Sequence, residues 1–213
     1  MAWLSKGTRL MARSLLDNKI APLVIDASAA INLNGSGFAK ELLGAIPNVV
    51  HIADVTLEEL QRDPRSGRDD AALAAALIKA QVLRKTALTS IAETHFDRLV
   101  IGAGAETLDD GEAATIALAL EIHGIAILDE RKARHLCAQR FPVLAIAGSM
   151  DLFAHVAVSA ALGRQTLADA VFHALQKARM RVPEAYLQWT IGLIGAERAM
   201  QCLSLPERLR KVA

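Results

Sequence analysis

Aromatic residues are scarce, at 4% of the 213 positions, and only two cysteines occur, Cys137 and Cys202. So few rings leave the core to alanine, leucine, isoleucine and valine, and offer no evident platform on which the bases of a single strand would stack. Cysteines this far apart, with no CxxC and no Cys/His ligand spacing, exclude a disulfide framework and a zinc finger. They read as reduced core thiols of a cytoplasmic protein. An excess of one charge is also lacking. The 24 Lys+Arg and 23 Asp+Glu leave a formal net charge of +1, so gross basicity gives no argument for nucleic-acid binding, although a local basic patch stays open. No membrane span is expected, because the longest apolar stretch, 113–128, is interrupted by Glu121 and His123, and a spanning helix needs about 20 nearly uncharged residues. Residues 1–20 are basic up to Asp17 without a continuous apolar run. They read as a basic amphipathic segment rather than a secretory signal. The histidines show no HxxxH or HExxH spacing.

What is present is apolar: 53% of the residues are hydrophobic, enough for a sizeable core. Short β-rich runs alternate with longer helical patterns. Leu23, Val24 and Ile25 read as a buried strand ending in Asp26. A helical stretch follows over 28–45, with a Gly-Ser-Gly break at 35–37. Strands are expected at 49–52, 125–128 and 143–146, and a further one at 86–91. Helices are expected at 56–61, 71–84, 109–123 and 130–139, and Gly124 reads as the C′ glycine that ends the third of these. From Gly148 onward only helical patterns remain, broken at Gly163, Pro183 and Gly195. Strands separated by helices of this length imply an α/β fold with a parallel sheet, whose sites form where the strands end.

Four acids belong to that edge. Asp26 closes the first strand in VIDASAAINL, Glu59 lies in VTLEEL, Glu112 lies in the first helical turn of LDDGEAATIALALE, and Asp129 closes the strand in IAILDERKAR. Each has an ordinary explanation. The aspartates can be N-caps, Glu112 suits a helix N-terminus, and Glu59 can be a solvated helix residue. Four carboxylates converging on one edge, however, repel one another and raise one another's pKa, which folding alone does not favour. A hard cation such as Mg2+ or Mn2+ removes that repulsion, and a carboxylate-held ion with open water positions is a phosphodiester-cleaving centre.

These segments carry a family resemblance. VIDASAAINL resembles the opening strand and helix of PIN-domain proteins, and VTLEEL resembles their second acidic position. The block LDDGEAATIALALEIHGIAILDERKAR is similar to that of a PIN subfamily related to the toxins of bacterial toxin–antitoxin pairs. The resemblance covers roughly residues 22–165. It implies a Rossmann-like central parallel sheet flanked by helices, and a metal-dependent endoribonuclease using Mg2+ or Mn2+ on an RNA substrate. The division expected is a basic segment at 1–20, a PIN-like nuclease domain at 21–165 and a helical carboxyl-terminal extension at 166–213. By position, Asp26, Glu59, Glu112 and Asp129 are the catalytic and metal-binding quartet. Ser28, Asp110 and Glu130 are outer-shell groups, with Glu58 competing with Glu59. An antitoxin protein or a second copy of the chain is the implied partner, contacted by the tail or the amphipathic start. A catalytically silent PIN-like module that binds RNA or protein is the alternative.

Arg131, Lys132 and Arg134 directly follow the last acid and are the cations expected to bind RNA beside it; a solvated helix face is the competing explanation. Arg62, Arg65 and Arg68 can track a phosphate backbone. Lys177, Arg179, Arg181, Arg208, Arg210 and Lys211 read as a solvated face. A GxG in LVIGAGAET, 99–107, is a fragmentary dinucleotide fingerprint with Thr107 at its third glycine position. An aspartyl-nucleophile phosphohydrolase would need a second Asp where Ser28 stands.

Overall fold

The computed structural model describes residues 21–60, 67–101 and 107–210. The basic segment 1–20, Arg62, Arg65, Lys211 and both glycines of the GxG lie outside the described residues. Within them the chain runs β1 (Leu23–Ile25), α1 (Ala27–Ser36), α2 (Ala39–Ala45), β2 (Val50–Ala53), α3 (Asp54–Glu58), α4 (Asp70–Lys79), β3 (Arg84–Thr86) and α5 (Ser90–Val100). It continues through α6 (Asp110–Glu121), β4 (Ile125–Ile127), α7 (Arg131–Arg140), β5 (Ala145–Ala147), α8 (Ser149–Phe153) and α9 (Val156–His173). A π-helical turn (Ala174–Ala178), a 3-10 turn (Glu184–Tyr186), α10 (Leu187–Ile194), α11 (Ala196–Met200) and α12 (Glu207–Arg210) complete it.

The five strands form one parallel sheet in the order β3-β2-β1-β4-β5. Central parallel strands are covered on both faces and so are apolar throughout. Alternate side chains enter opposite halves of the core. Leu23, Ile25, Ile125 and Ile127 belong to one cluster with α1, α2 and the carboxyl-terminal helices, whereas Val24, Ala126 and Leu128 belong to the other with α6 and α7. The first cluster includes Cys202 and the second Cys137, and both thiols are buried. Alanines 113, 114, 117 and 119 of α6 are buried with almost no exposed surface, so the helix replaces large side chains with close approach to the sheet.

Several boundaries differ from expectation. The helix expected over 71–84 stops at Lys79, and Gln81 turns the chain at φ 61°. Arg84–Thr86 then pairs with β2 as an edge strand; its Arg84 and Lys85 are exposed, the charged character that protects sheet edges and hides them from an apolar pattern. Consequently 86–91 is not a strand: Thr89 caps α5 instead, accepting a hydrogen bond from the Ile91 amide. The left-handed residue ending α6 is His123 (φ 51°), not Gly124. Gly124 is required for space, since a Cβ there would sit 2.7 Å from the Pro22 carbonyl oxygen. The 28–45 stretch is two helices separated by Gly37 at φ 76°. No helix among the described residues is long and apolar enough to cross a membrane.

Candidate active site at the carboxyl edge of the sheet

Strand order reverses between β1 and β4. The chain leaves β1 towards β2 and β3 on one side and returns to β4 and β5 on the other. The backbone parts above such a reversal, which is where open α/β sheets bind ligands. Asp26 and Asp129 leave the two strands there.

Asp26 is 2% exposed. Its Oδ1 accepts the Ala29 amide at 2.6 Å, which caps α1, and its Oδ2 accepts the Asp129 amide at 3.4 Å. Burial, and then the negative charge of Asp129, push its carboxyl up from 3.8 to about 8; Glu112 adds to the rise and the two amides oppose it. Glu112 is half-buried in the first turn of α6. Its carboxyl is pushed up from 4.5 to about 7, first by burial and then by Asp109 and Glu130, with Glu59 adding a smaller push and Lys132 pulling it back. Glu59 is raised by burial and by Asp109 and Asp110, against the Gly111 amide, which donates to its Oε1 at 2.7 Å. The four acids therefore feel one another in a chain: Asp129 acts on Asp26, as does Glu112, and Glu59 acts on Glu112.

Asp129 does not cap α7. Glu130 does so, accepting the Lys132 amide. The Asp129 carboxylate turns instead towards the end of β5, where Oδ1 accepts the Ser149 amide at 2.8 Å. Its Oδ2 accepts the Ser149 hydroxyl and, at 2.8 Å, the Asn32 side-chain amide. Asn32 and Ser149, 6% and 0% exposed, are the positioning residues that sequence reasoning missed. Their only signals were a polar residue inside the apolar helix α1 and a serine just past a strand. Thr56 and Thr115 were missed as well. Both are fully buried and donate to the Gly111 carbonyl, tying the start of α6 to α3.

Glu59 sits at the C-cap of α3 rather than early in a helix. Gly111 leaves it room: a Cβ there would lie 2.0 Å from Glu59 Oε2. Gly148 does the same for Asp129, with Oδ1 2.9 Å from its Cβ position. Ser28 and Asp110 are exposed, and the Ser28 hydroxyl makes no hydrogen bond among the described residues. Glu58 and Glu59 are both exposed, and Glu59 alone of the two is held by the Gly111 amide. Arg134 Nη1 donates to the carbonyls of Leu128 and Ala147 at 2.9 and 3.0 Å, clamping the ends of β4 and β5. Lys132 is exposed on α7, near enough to Glu112 to act on its carboxyl.

Among the described residues no group of three or more His, Cys, Asp or Glu side chains encloses a metal position. That excludes a closed cage of the zinc type there. A Mg2+ or Mn2+ ion here would rest on one or two of the carboxylates, with waters and substrate phosphates in its remaining positions. The buried Asp26 carboxyl, pushed up by burial and by the charge of Asp129, is the feature of this site that a hard cation would relieve, and oxygen donors of this kind fit such an ion.

Residues 22–196 match the family model of the PIN domain. No curated protein and no solved structure matches the chain.

Proposed function

The chain belongs to the PIN-domain family, and on that premise we propose that it is a metal-dependent endoribonuclease that hydrolyses RNA phosphodiester bonds at the acidic edge of its sheet. The observation that carries the reading is the pairing of Asp26 with Asp129 above the point where strand order reverses, with Asp26 held at a pKa of about 8 by burial and its acidic neighbours. Asp26 and Asp129 are the groups that would hold Mg2+ or Mn2+, directly or through water, with Glu59 and Glu112 completing the set. When bound, such an ion polarises a phosphoryl oxygen and lowers the pKa of its water.

The protein's own groups supply the rest. Asp129 is kept in one orientation by Ser149 and Asn32. Burial, and then Asp129, keep the proton on Asp26 near neutrality, and positive charge beside the two carboxyls favours its release. Glu112, raised to about 7 by burial and its acidic neighbours in the metal-free protein, would serve as a further ligand or would orient the attacking water. Lys132 and Arg131 offer positive charge beside the acids, without which the pocket would repel phosphate.

A mixed single-stranded RNA pool incubated with Mn2+ is expected to be cut by the wild-type chain, but not in EDTA and not by Asp26→Asn. Cleavage that persists in Asp26→Asn removes the acids from the reaction. Lack of cleavage by the wild type, with RNA still retained, favours the silent binding module. The resemblance to toxins extends the proposal to biology. Expression of the wild type should arrest a bacterial host, Asp26→Asn should not, and an antitoxin protein or a second copy is the expected partner. Arrest by both chains would separate toxicity from cleavage.

A further inference from the structure

A cavity of about 580 Å³ opens directly beside Asp129, and the acidic quartet does not account for it. One wall is the start of α7 with Arg131 and Arg134, the floor is the end of β5, and the facing wall is the tail segment Arg181–Tyr186. Three arginines thus converge on one cavity from elements far apart in the chain. Arg131 and Arg181 are exposed, and neither side chain is in an ion pair or a hydrogen bond with any described residue. Arg134 commits Nη1 to the two strand-end carbonyls, and its remaining nitrogens donate to no described residue.

Three acids, Asp129, Asp151 and Glu184, line the same cavity, and each has protein partners; those of Asp129 are Ser149 and Asn32. Asp151 accepts the Gly148 amide at 2.8 Å and the Tyr186 hydroxyl at 2.6 Å, and Glu184 pairs with Arg208 at 2.6 Å. The Tyr186–Asp151 bond joins the tail to Gly148, against which Asp129 itself rests. The tail is therefore anchored to the acidic centre and holds Arg181 opposite Arg131. Guanidinium forks with no protein acceptor are suited to phosphate oxygens.

We infer that this cavity is a nucleotide subsite of the RNA strand, in which Arg131, Arg134 and Arg181 hold the phosphate neighbouring the scissile one. Tyr186 is a positioning residue that fixes the Arg181 wall. The inference rests on the nuclease reading for its substrate, and it assigns the carboxyl-terminal extension a part in binding that strand.

The test separates binding from cleavage. A fluorescently labelled single-stranded RNA oligonucleotide is titrated by anisotropy with the full chain carrying Asp26→Asn, in EDTA, across a salt series. Arg131→Ala and Arg181→Ala are each expected to weaken binding roughly three- to tenfold and to reduce the salt slope by about 0.7 per phosphate no longer neutralised. Arg181→Lys should retain most of the slope, and Tyr186→Phe should weaken binding less than Arg181→Ala. Lys85→Ala, on the edge strand at the far side of the sheet, should match the parent. In the catalytic background, Arg181→Ala should raise KM with kcat little changed. An Arg181→Ala chain that binds RNA with the parent's affinity and slope overturns the subsite, as does a parent that binds no RNA at all. If the binding results hold while the wild type cuts nothing in Mn2+, the nuclease reading falls and the subsite stands.

Discussion

Asp26 concentrates the conflict between folding and chemistry. Its carboxyl ionises near 3.8 in the unfolded chain and near 8 in the folded one. Below pH 4 it is protonated in both states. As pH rises from about 4 to about 8 the unfolded chain loses the proton first, so folded stability falls across that window and levels off above it. Glu112 acts in the same direction between 4.5 and about 7. The metal-free protein is expected to lose on the order of a few kcal/mol over this range, read as a falling urea midpoint in EDTA. Asp26→Asn should flatten the profile and be the more stable chain at pH 8. A midpoint that rises with pH in EDTA would contradict the raised carboxyls. Asp26 and Asp129 were legible in the sequence because each ends a run of buried apolar residues. Asn32 and Ser149 were not, since their meaning lies in contacts 97 and 117 residues away along the chain.

Among the elements, α6 has the most direct control over the site. Its first-turn amide at Gly111 holds Glu59, and a methyl group there would collide with that carboxylate. Alanine is otherwise the better helix former, by about 1 kcal/mol. Gly111→Ala should therefore leave helix content and melting temperature nearly unchanged while lowering cleavage at least tenfold. Full activity would show that Glu59 is dispensable. The pattern of α6 announced itself through its acidic start and its alanines. Strand β3 did not, because an edge strand is held by backbone hydrogen bonds, and Arg84 and Lys85 need no burial. The helix α5 was obscured for a related reason: of its side chains only Ala92 and Leu99 are buried.

At the scale of the whole molecule, the carboxyl-terminal helices share the core of the sheet. Leu167, Val171, Leu175, Leu187, Leu193 and Ile194 lie in the same cluster as Leu23 and Ile25. Fully burying such side chains contributes about 1.5–3 kcal/mol each, a sum comparable to the roughly 5–15 kcal/mol that holds a typical domain together. Deleting 166–213 should therefore abolish cooperative urea unfolding and near-ultraviolet dichroism. A shortened chain that still unfolds cooperatively would make the extension a separable appendage. The sequence revealed the helical character of this tail, but which surface it covers depends on contacts such as Gly35 against Ala178, where a Cβ on Gly35 would come within 2.6 Å of the alanine methyl.

The two thiols lie in different halves of the core, and burial pushes both up to about 11. Neither is a ready nucleophile while the chain is folded. The molecule thus carries an internal clock on each side of its sheet. An alkylating reagent reaches Cys202 when the tail lifts away and Cys137 when α7 does. Equal labelling rates would mean that the two layers open as one, whereas a faster Cys202 would time the departure of the wall that carries Arg181.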